Sequence, residues 1–215
     1  MPLIDVPTVH AVTDARILGM PDFLERASAV LRALGGDVAV HLRGREVPPS
    51  LLYTLAEVLA PLQTETGGWL LVNDRVDLAM ACGARGVQLA GHSMPADDVR
   101  DIAPALAVGA SVHSGDAARS LAASRGRPDW LVAGNVFETP SHPGRMGRGI
   151  ALIRDVVAAG IPVIAIGGIQ PGHAAQLRAA GARGIATIRG IWDADEPAKA
   201  AAQYLSAHGR SSETR

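Results

Sequence analysis

The chain has 215 residues, a formal net charge of −1, 48% hydrophobic residues and only 3% aromatics. That length fits one closed α/β barrel or two small domains. The sparse aromatics argue against a nucleic-acid surface built on base stacking, and the interspersed charges argue against a polyanionic partner or a membrane surface. The single cysteine, Cys82, excludes an intrachain disulfide framework and reads as a buried small hydrophobe on a helix. With no secretory signal pattern and no run of about 18 apolar residues, a cytoplasmic protein is expected.

Taken in chain order, short β-branched runs alternate with longer alanine- and leucine-rich segments, the pattern of a parallel sheet covered by helices. Strands are expected at 8–13, 38–43, 69–73, 86–90, 107–112, 130–133, 162–166 and 184–188. Helices are expected at 20–34, 50–63, 74–81, 96–103, 115–124, 149–159, 172–180 and 196–207. Eight of each predict a (β/α)8 TIM barrel as a single domain over residues 1–207, followed by a polar tail at 208–215. A doubly wound open sheet is the runner-up. It would carry a glycine-rich fingerprint after the first strand, where this chain reads Thr13-Asp14-Ala15-Arg16. The sequence Gly-Ala-Arg-Gly recurs at 83–86 and 181–184 as a helix-to-strand turn, with glycine ending each helix.

In such a barrel, chemistry sits where strands end. The seventh strand runs into Gly167-Gly168-Ile169, and the eighth runs through Ile188 into Arg189-Gly190-Ile191. Glycine lets backbone amides approach an anion, so Gly167, Gly168, Ile188, Arg189 and Gly190 are candidates to hold a phosphate. Other strand ends offer Thr13 and Asp14, then His41 and Arg43, Asn73 and Asp74, His92 and Ser93, and Ser111 with His113. After the sixth strand, the loop 134–149 carries two prolines, His142 and two arginines, as an active-site lid would. Arg43 has two readings: contact with a ligand anion, or an ion pair with Glu46 or Asp14. Asn73 and Asp74 can equally cap the following helix. His10 is expected as a hydrogen-bonded residue of the barrel interior, and Trp69 and Trp130 at strand starts are assigned to the stability face.

Several motifs carry a family resemblance: Val12-Thr13-Asp14, His41-Leu42-Arg43, Asn73-Asp74-Arg75, Gly86-Val87-Gln88-Leu89, Ser111-Val112-His113-Ser114, Gly134-Asn135-Val136-Phe137-Glu138-Thr139 and Ile166-Gly167-Gly168-Ile169. Over residues 8–202 the chain resembles the thiamine phosphate synthase/TenI group, barrels that act on thiazole phosphates. In that group the synthase joins a pyrimidine pyrophosphate to a thiazole phosphate and holds the leaving pyrophosphate with Mg²⁺ and basic side chains. Asp74 matches one of the group's metal-binding aspartates, and Ser93 stands where the other would be. The group's lysine in the strand-six loop matches His142, and its strand-two glutamine matches His41. These departures favour the TenI branch, whose shared features include His41, Arg43, the 136–139 run and Gly147-Arg148-Gly149.

The resemblance therefore implies a metal-independent thiazole tautomerase that aromatises a carboxythiazole phosphate by proton transfer. The branch's catalytic histidine matches Asn135, which cannot exchange a proton near neutral pH. His142 is then the first candidate for the proton transfer and His41 the second. Arg43, Asn73, His113, Asn135 and Thr139 would contact the substrate. The synthase, with Mg²⁺ at Asp74, is the alternative enzyme, and a catalytically silent thiazole-phosphate binder is the non-enzyme alternative. The expected partner is a small-molecule thiazole phosphate, with no nucleic acid and no membrane, and the resemblance implies a possible homodimer.

Overall fold

In the computed structural model, which describes residues 4–139, 144 and 146–209, eight parallel strands close into a barrel in sequence order. They are β1 (Val9–Val12), β2 (Val38–Leu42), β3 (Trp69–Asn73), β4 (Gly86–Leu89), β5 (Ala107–Val112), β6 (Trp130–Ala133), β7 (Val163–Ile166) and β8 (Gly184–Thr187). Closure is made by β8 on β1, where Val9 pairs with Ile185 and Ala11 with Thr187. The predicted (β/α)8 barrel is borne out.

The helices on the outside are α1 (Ala15–Leu18), α2 (Phe23–Leu34), α3 (Pro49–Thr66), α4 (Val76–Cys82), α5 (Ala96–Ile102), α6 (Gly115–Ala123), α7 (Gly149–Val157), α8 (Ala174–Ala179), α9 (Arg189–Trp192) and α10 (Pro197–His208). Their boundaries follow local chemistry. Asp14 and Ser114 accept hydrogen bonds from the first turns of α1 and α6. Prolines open α3 and α10, where a missing N–H costs nothing. Gly67 and Gly83 end α3 and α4 in the left-handed conformation. Two short helices escaped the sequence pattern. Both α1 and α9 have four residues, too few for a 3.6-residue period to register. Cys82 is half-buried rather than buried, because it ends α4 beside an open surface.

The strands alternate faces as period two requires. Outward residues such as Val40, Leu70, Val108 and Ile185 join the layer under the helices. Inward residues Val12, Ala39, Trp69, Leu71, Trp130, Val132, Ile164 and Ala186 fill the barrel. Trp69 and Trp130 meet edge to face inside it, their ring centroids 6.0 Å apart. Gly109 makes that possible, since a Cβ there would overlap the Trp130 indole. The lower barrel is thus plugged, and its open end is the C-terminal mouth.

Candidate active site

At the β2 and β3 side of the mouth, Thr13 ties β1 to β2. Its hydroxyl lies 2.9 Å from the His41 carbonyl and accepts the Arg43 N–H at 2.8 Å. This fixes the backbone from which Arg43 reaches into the mouth. The Arg43 side chain is partly buried, and it forms no ion pair among the described residues. Burial, with the nearby Arg45, pushes its pKa down, while Asp74 and Asp14 act in the opposite direction. Asp14 itself caps α1 through the Ile17 N–H at 3.0 Å. The ion-pair reading of Arg43 is therefore set aside, because its guanidinium stays unmatched.

Asp74 sits at φ 65°, a left-handed conformation that aspartate tolerates. Its Oδ1 accepts from the Ala90 N–H at 3.0 Å and from the Ser93 hydroxyl, so this oxygen is fully engaged. His92 Nε2 lies 3.9 Å from Oδ2. The capping reading of Asn73 and Asp74 fails: α4 starts at an Arg75 cap with no side-chain bond, and both side chains turn toward neighbouring strands.

Beneath this rim, polar side chains enter the barrel. His10 Nε2 lies 3.1 Å from the Pro7 carbonyl, and its Nδ1 lies 2.8 Å from His41 Nε2. His41 Nδ1 lies 3.2 Å from Asn73 Oδ1. Burial, then the neighbouring His41, depresses the His10 pKa well below its usual value, and burial brings His41 to about 4. His10 is the buried interior residue that the sequence reading expected. His41 is only 1% exposed with both ring nitrogens engaged, which leaves it no free position from which to exchange a proton with a ligand. A second string runs from the Trp130 indole N–H to Gln88 Oε1 at 2.9 Å, and from the Gln88 amide to Ser111 Oγ at 3.2 Å.

Across the mouth, the loop after β6 is laced to its neighbours. The Val136 and Phe137 N–H groups donate to Ile166 and Gly167, each at 2.9 Å. The Arg148 N–H donates to the Asn135 carbonyl at 3.0 Å, and the Gly149 N–H to Val136 at 2.8 Å. Asn135 and Thr139 are partly buried on this rim. His113 is exposed, its Nδ1 bonds the Gly134 carbonyl, and its own carbonyl accepts from the Arg148 guanidinium. The Phe137 ring lies 4.2 Å from that of His173, which joins this loop to the start of α8. His142 lies outside the described residues.

Gly167 and Gly168 adopt φ 107° and 62°. A Cβ at Gly168 would also strike the Glu138 carbonyl, so glycine is required twice over. The N–H groups of Gly168, Arg189 and Gly190 have no backbone acceptor among the described residues. The Arg189 side chain is exposed, and Ile188 immediately precedes α9. Tyr204, on α10, holds the two turns together: its hydroxyl donates to the Ile169 carbonyl at 3.0 Å and abuts Gly190. Sequence reading missed both Tyr204 and the Ser93–Asp74 bond. A tyrosine on the last helix carries no local sign that it reaches two distant turns.

A model of the TMP-TENI family, described as thiamine monophosphate synthase, matches residues 9–191. The chain belongs to this family. A thiamine-phosphate synthase of Roseiflexus castenholzii is 37% identical over 192 residues, covering 88% of this chain and 82% of that protein. One of Pyrococcus furiosus is 36% identical over 194 residues, covering 89% and 90%. A solved thiamine phosphate pyrophosphorylase from Pyrococcus furiosus superposes with a TM-score of 0.80 at 33% identity, over 95% of this chain and 96% of that one. A 3-hexulose-6-phosphate synthase, at 17% identity and TM-score 0.66 over 94% of this chain and 100% of that one, shares the fold alone.

These relatives overturn the assignment to the TenI branch as a tautomerase, an isomerase: they carry the synthase name. The physical reason lies in the weight given to three substitutions. Ser93 stands where the resemblance places a second metal-binding aspartate, yet its hydroxyl buttresses Asp74. Mg²⁺ commonly takes one or two carboxylates together with substrate phosphates, so a second aspartate is not a requirement. The glutamine-to-histidine change at His41 falls on a buried residue whose nitrogens are bound within the protein. The lysine-to-histidine change falls at His142.

Proposed function

We propose that the protein is a thiamine-phosphate synthase, joining a pyrimidine pyrophosphate to a thiazole phosphate with release of pyrophosphate. The observation that carries this reading is that the mouth presents groups suited to anions at two separate ends. The glycine turns after β7 and β8 offer free backbone N–H groups on one side. The unmatched guanidinium of Arg43 stands at the end of β2, with Asp74 after β3. One phosphorylated substrate needs one such end, whereas joining two needs both. Relatives at 36–37% identity over most of the chain carry the synthase name, which supports the same reading.

On this reading the thiazole phosphate monoester docks at Gly167, Gly168, Ile188, Arg189 and Gly190, where main-chain N–H groups meet its oxygens. Arg43 binds the pyrophosphate, since a guanidinium fork matches phosphate oxygens and needs no competing carboxylate. Asn73, His113, Asn135 and Thr139 line the space between. Among the described residues no cluster of three or more His, Cys, Asp or Glu side chains is placed to hold a metal ion. Asp74, with Ser93 and the Ala90 N–H engaging its Oδ1 and only His92 Nε2, at 3.9 Å, beside Oδ2 among the described residues, suits a Mg²⁺ ion completed by substrate oxygens. When bound, that ion would neutralise the charge that accumulates on the departing pyrophosphate. The remaining work is positional: the β6 loop, laced to Ile166 and Gly167, brings the two substrates together and screens them from water.

The partners are these two small molecules. No helix among the described residues is long and apolar enough to cross a membrane. The test supplies both substrates with Mg²⁺ and follows pyrophosphate. Release that requires both substrates is expected; no release from the folded protein would overturn the reading.

A further inference from the structure

The buried pair His10 and His41 belongs to no step above, and its hydrogen count has a definite solution. The Pro7 carbonyl can only accept, so His10 Nε2 carries a proton and donates. In an uncharged ring that leaves His10 Nδ1 as an acceptor. His41 Nε2, 2.8 Å away, must then donate, which leaves His41 Nδ1 as an acceptor too. The atom facing His41 Nδ1 at 3.2 Å is Asn73 Oδ1, and two acceptors cannot bond each other. The chain is completed only when that amide is turned over from this orientation, bringing its NH₂ end to His41. The two ends of a primary amide have nearly the same shape, so the protons decide between them.

A charged pair would allow the opposite orientation, with the amide oxygen accepting from His41. The surroundings oppose it. His10 and His41 are 0% and 1% exposed, and burying an uncompensated charge is costly. The charged groups that act on the pair are Arg183 at the lower end of the barrel and Arg43 at the upper end, both cations. Trp130, 6.2 Å from His10, is neutral. Among the described residues no carboxylate offsets a proton there.

We propose that His10 and His41 form an uncharged relay of fixed tautomer that turns the Asn73 amide so that its oxygen faces the barrel mouth, as an acceptor for an N–H or O–H donor of the ligand. His10 and His41 are thus positioning residues, and Asn73 is the group that touches the ligand. This last step rests on the synthase reading of the mouth. The tautomers do not.

The experiment uses the full chain with ¹⁵N-labelled histidine, its signals assigned by single-histidine variants, and measures long-range ¹H–¹⁵N couplings at pH 7. Both rings are expected neutral with the proton on Nε2. A charged ring, or His41 protonated on Nδ1, would overturn the relay. His10→Phe removes the acceptor for His41 Nε2–H. It should switch His41 to the Nδ1–H form and raise a substrate KM about tenfold, the size of one lost hydrogen bond, with kcat little changed. His10→Gln retains one donor and one acceptor and should preserve both the His41 tautomer and KM. An unchanged His41 tautomer in folded His10→Phe overturns the proposal, and if that variant does not fold, the wild-type and His10→Gln spectra decide it. A wild type that releases no pyrophosphate but shows the expected tautomers refutes the synthase reading and leaves the relay intact.

Discussion

Arg43 holds a partly buried guanidinium that forms no ion pair among the described residues, Asp74 and Asp14 acting on it only at longer range. Leaving it so is unfavourable to the fold and useful to a ligand. Replacing it in Arg43→Gln should lower kcat/KM for pyrophosphate release about tenfold to a hundredfold, the range of a lost hydrogen bond to a charged group. The melting temperature should hold or rise, because no intramolecular ion pair is broken. A lower melting temperature with unchanged kinetics would identify Arg43 as structural. His41 supplies a second test at this scale. Its folded pKa of about 4 lies below its ordinary value of 6.5, so between these values the unfolded chain binds more protons than the folded one. Stability from His41 is therefore complete above pH 6.5 and is lost as pH falls toward 4, at roughly 1.4 kcal/mol per pH unit. His10 is depressed in the same direction and adds to the slope. Asp22 and Asp101, lowered by their arginine partners, titrate below their ordinary 3.8 and act only in stronger acid. Urea unfolding at pH 7 and pH 5 measures the loss, and His41→Gln should reduce it, His10 and the burial-lowered His208 supplying the remainder. Equal wild-type stability at the two values would refute the assignment of a buried, uncharged His41.

Elements matter here because the β6 loop and the β7 turn are built against each other. Gly168→Ala places a methyl group at φ 62° against the Glu138 carbonyl, forcing the two loops apart. A cost of about 1–3 kcal/mol in stability is expected from such backbone strain, together with a raised KM for the thiazole phosphate. Gly172→Ala, where a Cβ meets nothing within 4 Å, is the matched control and should change neither. If both variants behave alike, the turn is not the anion site. The comparison also shows what the sequence could and could not reveal. The eight strands were readable because each alternates or runs apolar over several residues, and Gly167-Gly168 stood out because few other sequences permit such a turn. Tyr204 was invisible, since its contact with Ile169 depends on where α10 lands against two other elements. The Ser93 hydroxyl misled for the same reason: its residue type suggested a missing ligand, and only the geometry reveals a buttress to Asp74. Branch assignment from single residues failed because a substitution's meaning depends on what its neighbour then does.

The whole molecule is a barrel whose lower half is filled by Trp69, Trp130 and the histidine pair, so every exchange with substrate must take place at one rim. The two ends of that rim are built differently, and this gives a test of the molecule as a unit. On the proposed reading the β7 and β8 turns would bind through backbone N–H groups, which require no metal and do not titrate. The β2 and β3 end would rely on Arg43 and on Asp74, whose Oδ2, with His92 Nε2 at 3.9 Å, suits a divalent ion. Removing Mg²⁺ with a chelator should therefore abolish pyrophosphate release while leaving thiazole phosphate binding, measured by calorimetry, essentially unchanged. Asp74→Asn should reproduce that separation, and restored Mg²⁺ should rescue the wild type alone. Loss of thiazole phosphate binding on chelation would mean that the two ends are not independent, and the division of labour across the mouth would have to be redrawn.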